Sequence, residues 1–271
     1  MNKSIIEKSK WQLWKATISY QGTYYDGWQS QPNKRGIQDI IESVLYKIFK
    51  IKQRIIGASR TDAGVHAFGQ VFTFYAPPII PASKLQEMIN GSLPDTLLIR
   101  ELLPAGESFH PRFMAKKKIY QYIISSYKTI PSINFFIHHE KKDFDASLLK
   151  EALSIFIGKH DFRSFAFESK EKNTIRTIYD IDFKQYHNLC IITIVGNGFL
   201  RYMIRRLVGG ALYASQKKDI SYLQNIFKEQ NSSNHLTVMP SKGLMLKNII
   251  YDENEPINYQ NPFLMPFINK I

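Results

Sequence analysis

The sequence predicts an α+β protein of two halves with similar grammar, each presenting one sheet face. Three observations predict it. Alternating apolar residues mark extended segments, apolar residues at helical spacing mark others between them, and this order repeats after a Pro- and charge-rich stretch near the midpoint, Pro104 to Lys118. A chain of 271 residues that is 44% hydrophobic can bury a real core, as one large domain or two of ordinary size. The reading divides it into residues 11–113, residues 114–250 and a tail over 251–271.

In the first half, Lys15 to Tyr20 alternates as a strand and Gln21-Gly22-Thr23 is turn-like. Ile37, Ile40, Ile41, Val44, Leu45 and Ile48 then recur at helical spacing. Gln53 to Ala58 reads as a second strand. After a turn at Asp62, Gln70 to Tyr75 sets Val71, Thr73 and Tyr75 on one face and Phe72 and Phe74 on the other. Ser83 with Gln86 has capping-box spacing and opens a short helix to Asn90.

The second half repeats the order. Ile119 to Ser125 is a strand, and Asp145 caps a helix whose apolar stripe is Leu148, Leu149, Ala152, Leu153 and Phe156. Thr177 to Phe183 and Leu189 to Val195 form a hairpin. A helix from about Leu200 to Ser215 follows, with Met203, Ile204, Leu207, Val208 and Ala211 inward. The tail from Tyr251, with Pro256, Pro262 and Pro266, is expected to wrap irregularly.

Charge narrows the partner. Thirty-six Lys and Arg against 23 Asp and Glu give +13, which points to a nucleic acid or an anionic membrane surface. No apolar run reaches about 18 residues, and Met1 to Lys10 lacks a signal-peptide core, so a cytoplasmic protein without a membrane partner is expected. Cys190 is the one cysteine; it excludes an internal disulfide and reads as a small buried hydrophobe in Leu189-Cys190-Ile191-Ile192. The seven histidines offer no pair sharing a helix face, and His138 and His139, if extended, point to opposite faces. Gly196-Asn197-Gly198 begins like a dinucleotide fingerprint, but Arg201 stands where its third glycine belongs. Gly158-Lys159 lacks the glycine spacing of a phosphate-cradling loop. Neither metal nor cofactor is expected.

Chemistry concentrates in Ser59-Arg60-Thr61-Asp62-Ala63-Gly64-Val65-His66. Turn formation alone accounts for Asp62, which can bond its own backbone, and for Gly64, which can take positive φ. It does not account for Arg60, which in an extended segment lies on the same side as Asp62 and would favour the ionised carboxylate. No Ser or Cys is paired with a base, so carboxylate chemistry is the better expectation.

The string Ser59 to Val71, SRTDAGVHAFGQV, resembles the catalytic motif of the tRNA pseudouridine synthases of the TruA type. Further segments match in order. Tyr24-Tyr25-Asp26-Gly27-Trp28-Gln29 resembles the family's N-terminal aromatic motif, Phe109-His110-Pro111-Arg112-Phe113 its central motif, and Lys118-Ile119-Tyr120-Gln121-Tyr122 the segment with its active-site tyrosine. Gly198 to Arg205 resembles the helix with its second arginine, and Gly243-Leu244 its site-closing segment. The resemblance covers roughly residues 12–250. Ser59 stands where many relatives have Gly, and Arg206 where a neutral residue is common.

The resemblance implies a mostly antiparallel sheet shared by two similar halves, helices on one face, and an active-site cleft between the halves. It implies isomerisation of uridine to pseudouridine at tRNA positions 38, 39 and 40 by a cofactor-free homodimer. Asp62 would be the covalent catalyst, with attack on the sugar or on the ring both open. Tyr120 would stack on the uracil and transfer a proton, and Arg205 would pair with Asp62. Arg60 would enter the space left by the flipped nucleotide, offsetting part of the extrusion. His66, His110, Arg112 and Leu244 are expected at the substrate, as is Arg201, one helical turn before Arg205 and on the same face, while Arg206 points elsewhere. Lys116, Lys117 and Lys118 are expected along the tRNA backbone, as are Lys34-Arg35, Lys50 with Lys52 and Arg54, and Lys217-Lys218. Tyr24 and Trp28 are either base-stacking rings or core. The competing reading is a non-catalytic RNA-binding paralogue, which the joint presence of Asp62, Tyr120 and Arg205 argues against.

Overall fold

The computed structural model describes residues 11–167, 173–229 and 236–261; Met1 to Lys10, and Pro262 and Pro266 of the tail, lie outside the described residues. The chain divides into two compact units, Met1–Ala115 and Lys116–Ile271. Both are α+β, and each is built on a mostly antiparallel sheet.

The first unit contains β1 (Gln12–Tyr20), α1 (Ile37–Phe49), β2 (Ile56–Gly57), β3 (His66–Ala76), α2 (Ala82–Asn90) and β4 (Leu97–Ala105). Its strand order is β4, β1, β3, with β2 paired to β3, all antiparallel. One face of β1 and β3 buries Trp14, Ala16, Ile18, Tyr20, Phe72 and Phe74. Against it packs Trp28, whose ring centroid lies 6.1 Å from Tyr20 and 6.0 Å from Phe72. Helix α1 contributes Ile37, Ile41, Val44 and Leu45 to the core, as its spacing predicts.

Two expectations in this unit need correction, and one strand goes unread in the sequence. Of the expected strand Gln53 to Ala58, Ile56 and Gly57 form the strand paired with β3, and the Ala58 N–H adds a backbone bond to the Val71 carbonyl at 2.8 Å. At Gln53 the side-chain amide replaces the ladder: Nε2 donates to the Tyr75 carbonyl at 3.0 Å, and Oε1 accepts from the Tyr75 N–H at 2.9 Å. The capping box does not form, because Pro81 is the N-cap residue and Gln86 instead donates to the Ile99 carbonyl at 3.0 Å. Asn90 completes that link between α2 and β4 with reciprocal bonds to Ile99 of 2.9 and 2.8 Å. Strand β4 itself escapes the periodicity reading, since a register shift between Thr17 and Ile18 breaks its alternation into buried Leu97, Ile99 and Leu102.

The second unit contains β5 (Lys117–Ser125), β6 (His138–His139), α3 (Ala146–Ser154), β7 (Gly158–Asp161), β8 (Ile175–Tyr186), β9 (Leu189–Gly196), α4 (Met203–Lys217), α5 (Ser221–Glu229) and β10 (Leu244–Ile250). The order is β10, β5, β9, β8, β7, with β6 joining β5 as the parallel pair. Asp145 caps α3 by accepting from the N–H groups of Ser147 and Leu148 at 2.8 and 3.0 Å. On one face of this sheet, Ile123, Leu189 and Ile191 pack with Ile133 and Ile137, and Ile119, Val195 and Ile250 pack with Ile257 and Tyr259. Tyr120, Tyr122, Ile192 and Ile194 alternate to the other face and are also buried.

Cys190 is buried in β9, and burial pushes its thiol up to about 11. The expected nucleotide decoy is structural: Asn197 Oδ1 accepts from the Thr177 N–H at 3.0 Å, closing the end of the β8–β9 hairpin. Strands β7 and β10 and helix α5 were not expected from the sequence. Strand β10 is buried on both faces except at Asn248 and so shows no alternation. Helix α5 carries a legible signal, with Leu223 and Ile226 buried three residues apart.

Candidate active site

The loop around Asp62 is built by contacts of its backbone and neighbours, all in the first unit. Gln70 in β3 clamps its entry: Oε1 accepts from the Ser59 N–H at 3.2 Å and Nε2 donates to the Ser59 carbonyl at 2.6 Å. Both residues are buried, so these bonds satisfy groups that water cannot reach. The Tyr20 and Thr61 hydroxyls share a hydrogen bond of 2.8 Å. The turn closes where the Val65 N–H donates to the Asp62 carbonyl at 3.1 Å, with Gly64 at φ +75°.

This loop rests directly on residues 22–28. The Trp28 N–H donates to the Thr61 carbonyl at 3.1 Å, and the Gly64 N–H to the Tyr25 carbonyl at 3.2 Å. Gly27 and Gly22 permit the approach: a Cβ at Gly27 would lie 2.6 Å from the Thr61 oxygen, and one at Gly22 2.0 Å from the Val65 oxygen. The segments Tyr24 to Gln29 and Ser59 to Val71 are therefore two sides of one backbone contact. Asp62 is half-buried, and Arg60 is exposed. His66 is fully buried, and its Nδ1 accepts from the Gly22 N–H at 3.1 Å, a position that braces the loop. Trp28 belongs to the core at 2% exposure, whereas Tyr24 is exposed.

His110 and Arg112 come together at another turn of the first unit, where His110 Nδ1 accepts from the N–H groups of Arg112 and Phe113 at 3.2 and 3.3 Å. Arg112 is exposed.

In the second unit, Tyr120 is buried in β5 with its ring edge-on to Phe199, centroids 5.3 Å apart. It pairs in register with Leu246, as its neighbour Tyr122 does with buried Leu244. Burial raises the Tyr122 phenol well above its ordinary value, against the opposing pull of the Arg205 guanidinium. Arg205 Nε donates to the Met239 carbonyl at 2.5 Å, and the Met239 N–H returns a bond to the Arg205 carbonyl at 3.2 Å.

Arg201 is not on the helix. Helix α4 starts at Met203, because Tyr202 takes left-handed φ 60°, ψ 2° and ends any helical run before it. The two arginines nevertheless converge, each with its guanidinium carbon 4.9 Å from the Tyr202 ring centroid. Arg206 is buried and donates to the Ala166 carbonyl at 2.6 Å, and burial lowers its pKa.

Lys116 Nζ lies 3.2 Å from Glu253 Oε1, and Lys117 Nζ donates to the Glu253 carbonyl at 3.1 Å. The Lys116 pair is exposed and adds little stability. Lys118 is half-buried in β5. Among the described residues, no cluster of His, Cys, Asp and Glu could hold a metal ion, and no helix is long and apolar enough to cross a membrane.

A family model described as tRNA pseudouridine synthase matches residues 16–114 and 152–252. The tRNA pseudouridine synthase A of Chlamydia pneumoniae is 38% identical over 240 residues, covering 86% of this chain and 90% of its own. The protein of that name from Thermodesulfovibrio yellowstonii is 38% identical over 250 residues, covering 88% and 98%. That of Phytoplasma mali is 38% identical over 241 residues, again covering 88% and 98%. The matched spans contain Arg60, Asp62 and Arg205, while Tyr120 and Lys116 to Lys118 fall between them.

Proposed function

Because the chain belongs to the tRNA pseudouridine synthase family, we propose that it modifies uridines 38, 39 and 40 of the tRNA anticodon stem-loop, with Asp62 as covalent catalyst. The reaction is the isomerisation of uridine to pseudouridine in tRNA. The bond from uracil N1 to the sugar breaks, a bond from C5 to the same sugar carbon forms, and the C5 proton is lost while N1 regains one. Atoms balance without a redox partner, so the chemistry asks only for a nucleophile, proton transfer and a held base.

The observation that carries the reading is the Asp62 loop, a half-buried carboxylate on a backbone clamped by Gln70 and seated on residues 22–28. Ser59, Thr61 and His66 of the loop are buried, with the Thr61 hydroxyl bonded to Tyr20 and His66 Nδ1 to Gly22, which leaves the Asp62 carboxylate as the better nucleophile, and its clamp is the preorganisation that covalent catalysis requires. The family resemblance gives Tyr120 the stacking and proton-transfer role, Arg205 that of countercharge to Asp62, and Arg60 that of filling the flipped nucleotide's space. It also supports a homodimer acting in the cytoplasm.

The test is to incubate the full chain with unmodified tRNA transcripts and map pseudouridines by carbodiimide derivatisation and reverse transcription, since the isomer has the mass of uridine. Modification confined to positions 38 to 40 is expected. Modification elsewhere would overturn the positional reading, and binding without modification would favour the RNA-binding paralogue.

Tyr202 provides a second check, on Arg205. If the ring holds that guanidinium, Tyr202→Phe should keep activity. Tyr202→Gly, which suits the left-handed backbone better but removes the ring, should lower kcat about 5- to 30-fold, the span of a cation–π contact of about 1–2 kcal/mol. Single-turnover kinetics on both variants decide; equal activity in the two would show that the ring does not matter.

A further inference from the structure

We propose that Phe113, stacked on His110, is a platform for an unpaired base of the tRNA, outside the Asp62 loop. The proposal rests on tRNA being the substrate, and it names a contact that the function above does not use.

Phe113 is 77% exposed, more than Tyr24 at 52% or Tyr127 at 65%. Leaving a phenylalanine in water forgoes about 1.5–3 kcal/mol of burial, part of which a stacked base would recover. The ring is also held in place. Its centroid lies 4.2 Å from that of His110, with 28° between planes, so one face is stacked and the other faces outward. The His110 ring is fixed in turn, because Nδ1 accepts the two backbone N–H groups of Arg112 and Phe113. The Met114 N–H donates to the His110 carbonyl at 3.1 Å and closes the turn on itself. A planar π-surface that loses little freedom on binding is thus already assembled.

The neighbours choose the occupant. Arg112 beside it is exposed, and the chain carries +13 overall. That charge attracts a polyanion. Paired bases are stacked on their own neighbours, so a ring of this kind serves an unstacked base in a loop or bulge. The pairing of one stacking ring with one adjacent guanidinium gives two contacts with different salt responses, which makes the proposal separable from general electrostatic binding.

The experiment measures tRNA affinity of the full chain over a series of salt concentrations. Phe113→Ala should weaken binding about 5- to 150-fold, the span of one base stack, with an unchanged salt slope. Arg112→Ala should reduce that slope by about 1. Phe113→Trp should restore affinity, and its fluorescence should be quenched by tRNA; Trp11, Trp14 and Trp28 are buried, so the signal reports the new ring. A Phe113→Ala affinity within about twofold of wild type overturns the platform. So does a loss of affinity accompanied by dissociation of a dimer in sedimentation, which would make the ring an interface between copies. Tritium release from C5-labelled uridine in tRNA separates this from the function. Wild type that binds through Phe113 but releases no tritium overturns the enzyme reading and leaves the platform; active wild type with an indifferent Phe113 does the reverse.

Discussion

Asp62→Asn is expected to reduce pseudouridine formation on the order of 10⁴-fold or more, as removal of a covalent catalyst does, with tRNA affinity within a few-fold of wild type. The substitution is chosen for what it leaves in place. Asn has the shape of Asp and the same fitness for a turn, and the bonds that position the loop are made by the backbones of Thr61, Asp62 and Gly64 and by the Gln70 side chain. The fold, the seating on residues 22–28 and the RNA-binding surface should therefore persist. What is lost is the negative charge and the ability to form an ester-type bond. Single-turnover tritium release and filter binding on the same preparation give the two numbers. Residual activity above about 1% of wild type would mean that a neighbouring group supplies the nucleophile, contrary to the assignment.

How much of this was legible in the sequence depends on how far each feature reaches along the chain. Periodicity is local, so α1, β3, the β8–β9 hairpin and the Asp145 cap of α3 could all be read from a dozen residues. Features set by partners far away could not. Gln53 looks like any strand residue until its side chain is seen bonding both backbone groups of Tyr75. Strand β4 loses its alternation at a shift in its pairing with β1, and β10 has no solvated face to alternate with. The candidate site divides the same way. The turn at Asp62 and Gly64 was visible in their residue types, whereas the clamp by Gln70 and the support from residues 22–28 join segments that no local pattern connects. The left-handed Tyr202 is a further case, since a tyrosine there carries no signal that α4 starts after it rather than before.

The support beneath the loop is where a single methyl group should have the second large effect. At Gly22 a Cβ would sit 2.0 Å from the Val65 oxygen, 2.5 Å from the Val65 carbonyl carbon and 3.0 Å from the Gly64 carbonyl carbon. All three are backbone, so no side chain can swing aside, and either residue 22 or the loop must move. Residue 22 is tied by its N–H to His66 Nδ1 and by its carbonyl to the Tyr25 N–H, both in the buried support of the site. Displacing the loop instead shifts Asp62, three residues from the clash. Gly22→Ala is therefore expected to cost about 1–3 kcal/mol in stability, as overpacking does. A misplacement of about 1 Å at a reacting group should also lower kcat/KM about 10²-fold. Gly106→Ala is the matched control, because a Cβ there meets nothing within 4 Å. It should leave stability within about 0.5 kcal/mol of wild type. Denaturant melts and tritium release on the two variants compare the same methyl at a tight and an open position. If Gly22→Ala behaves like Gly106→Ala in both, residues 22–28 do not hold the Asp62 loop in its working geometry.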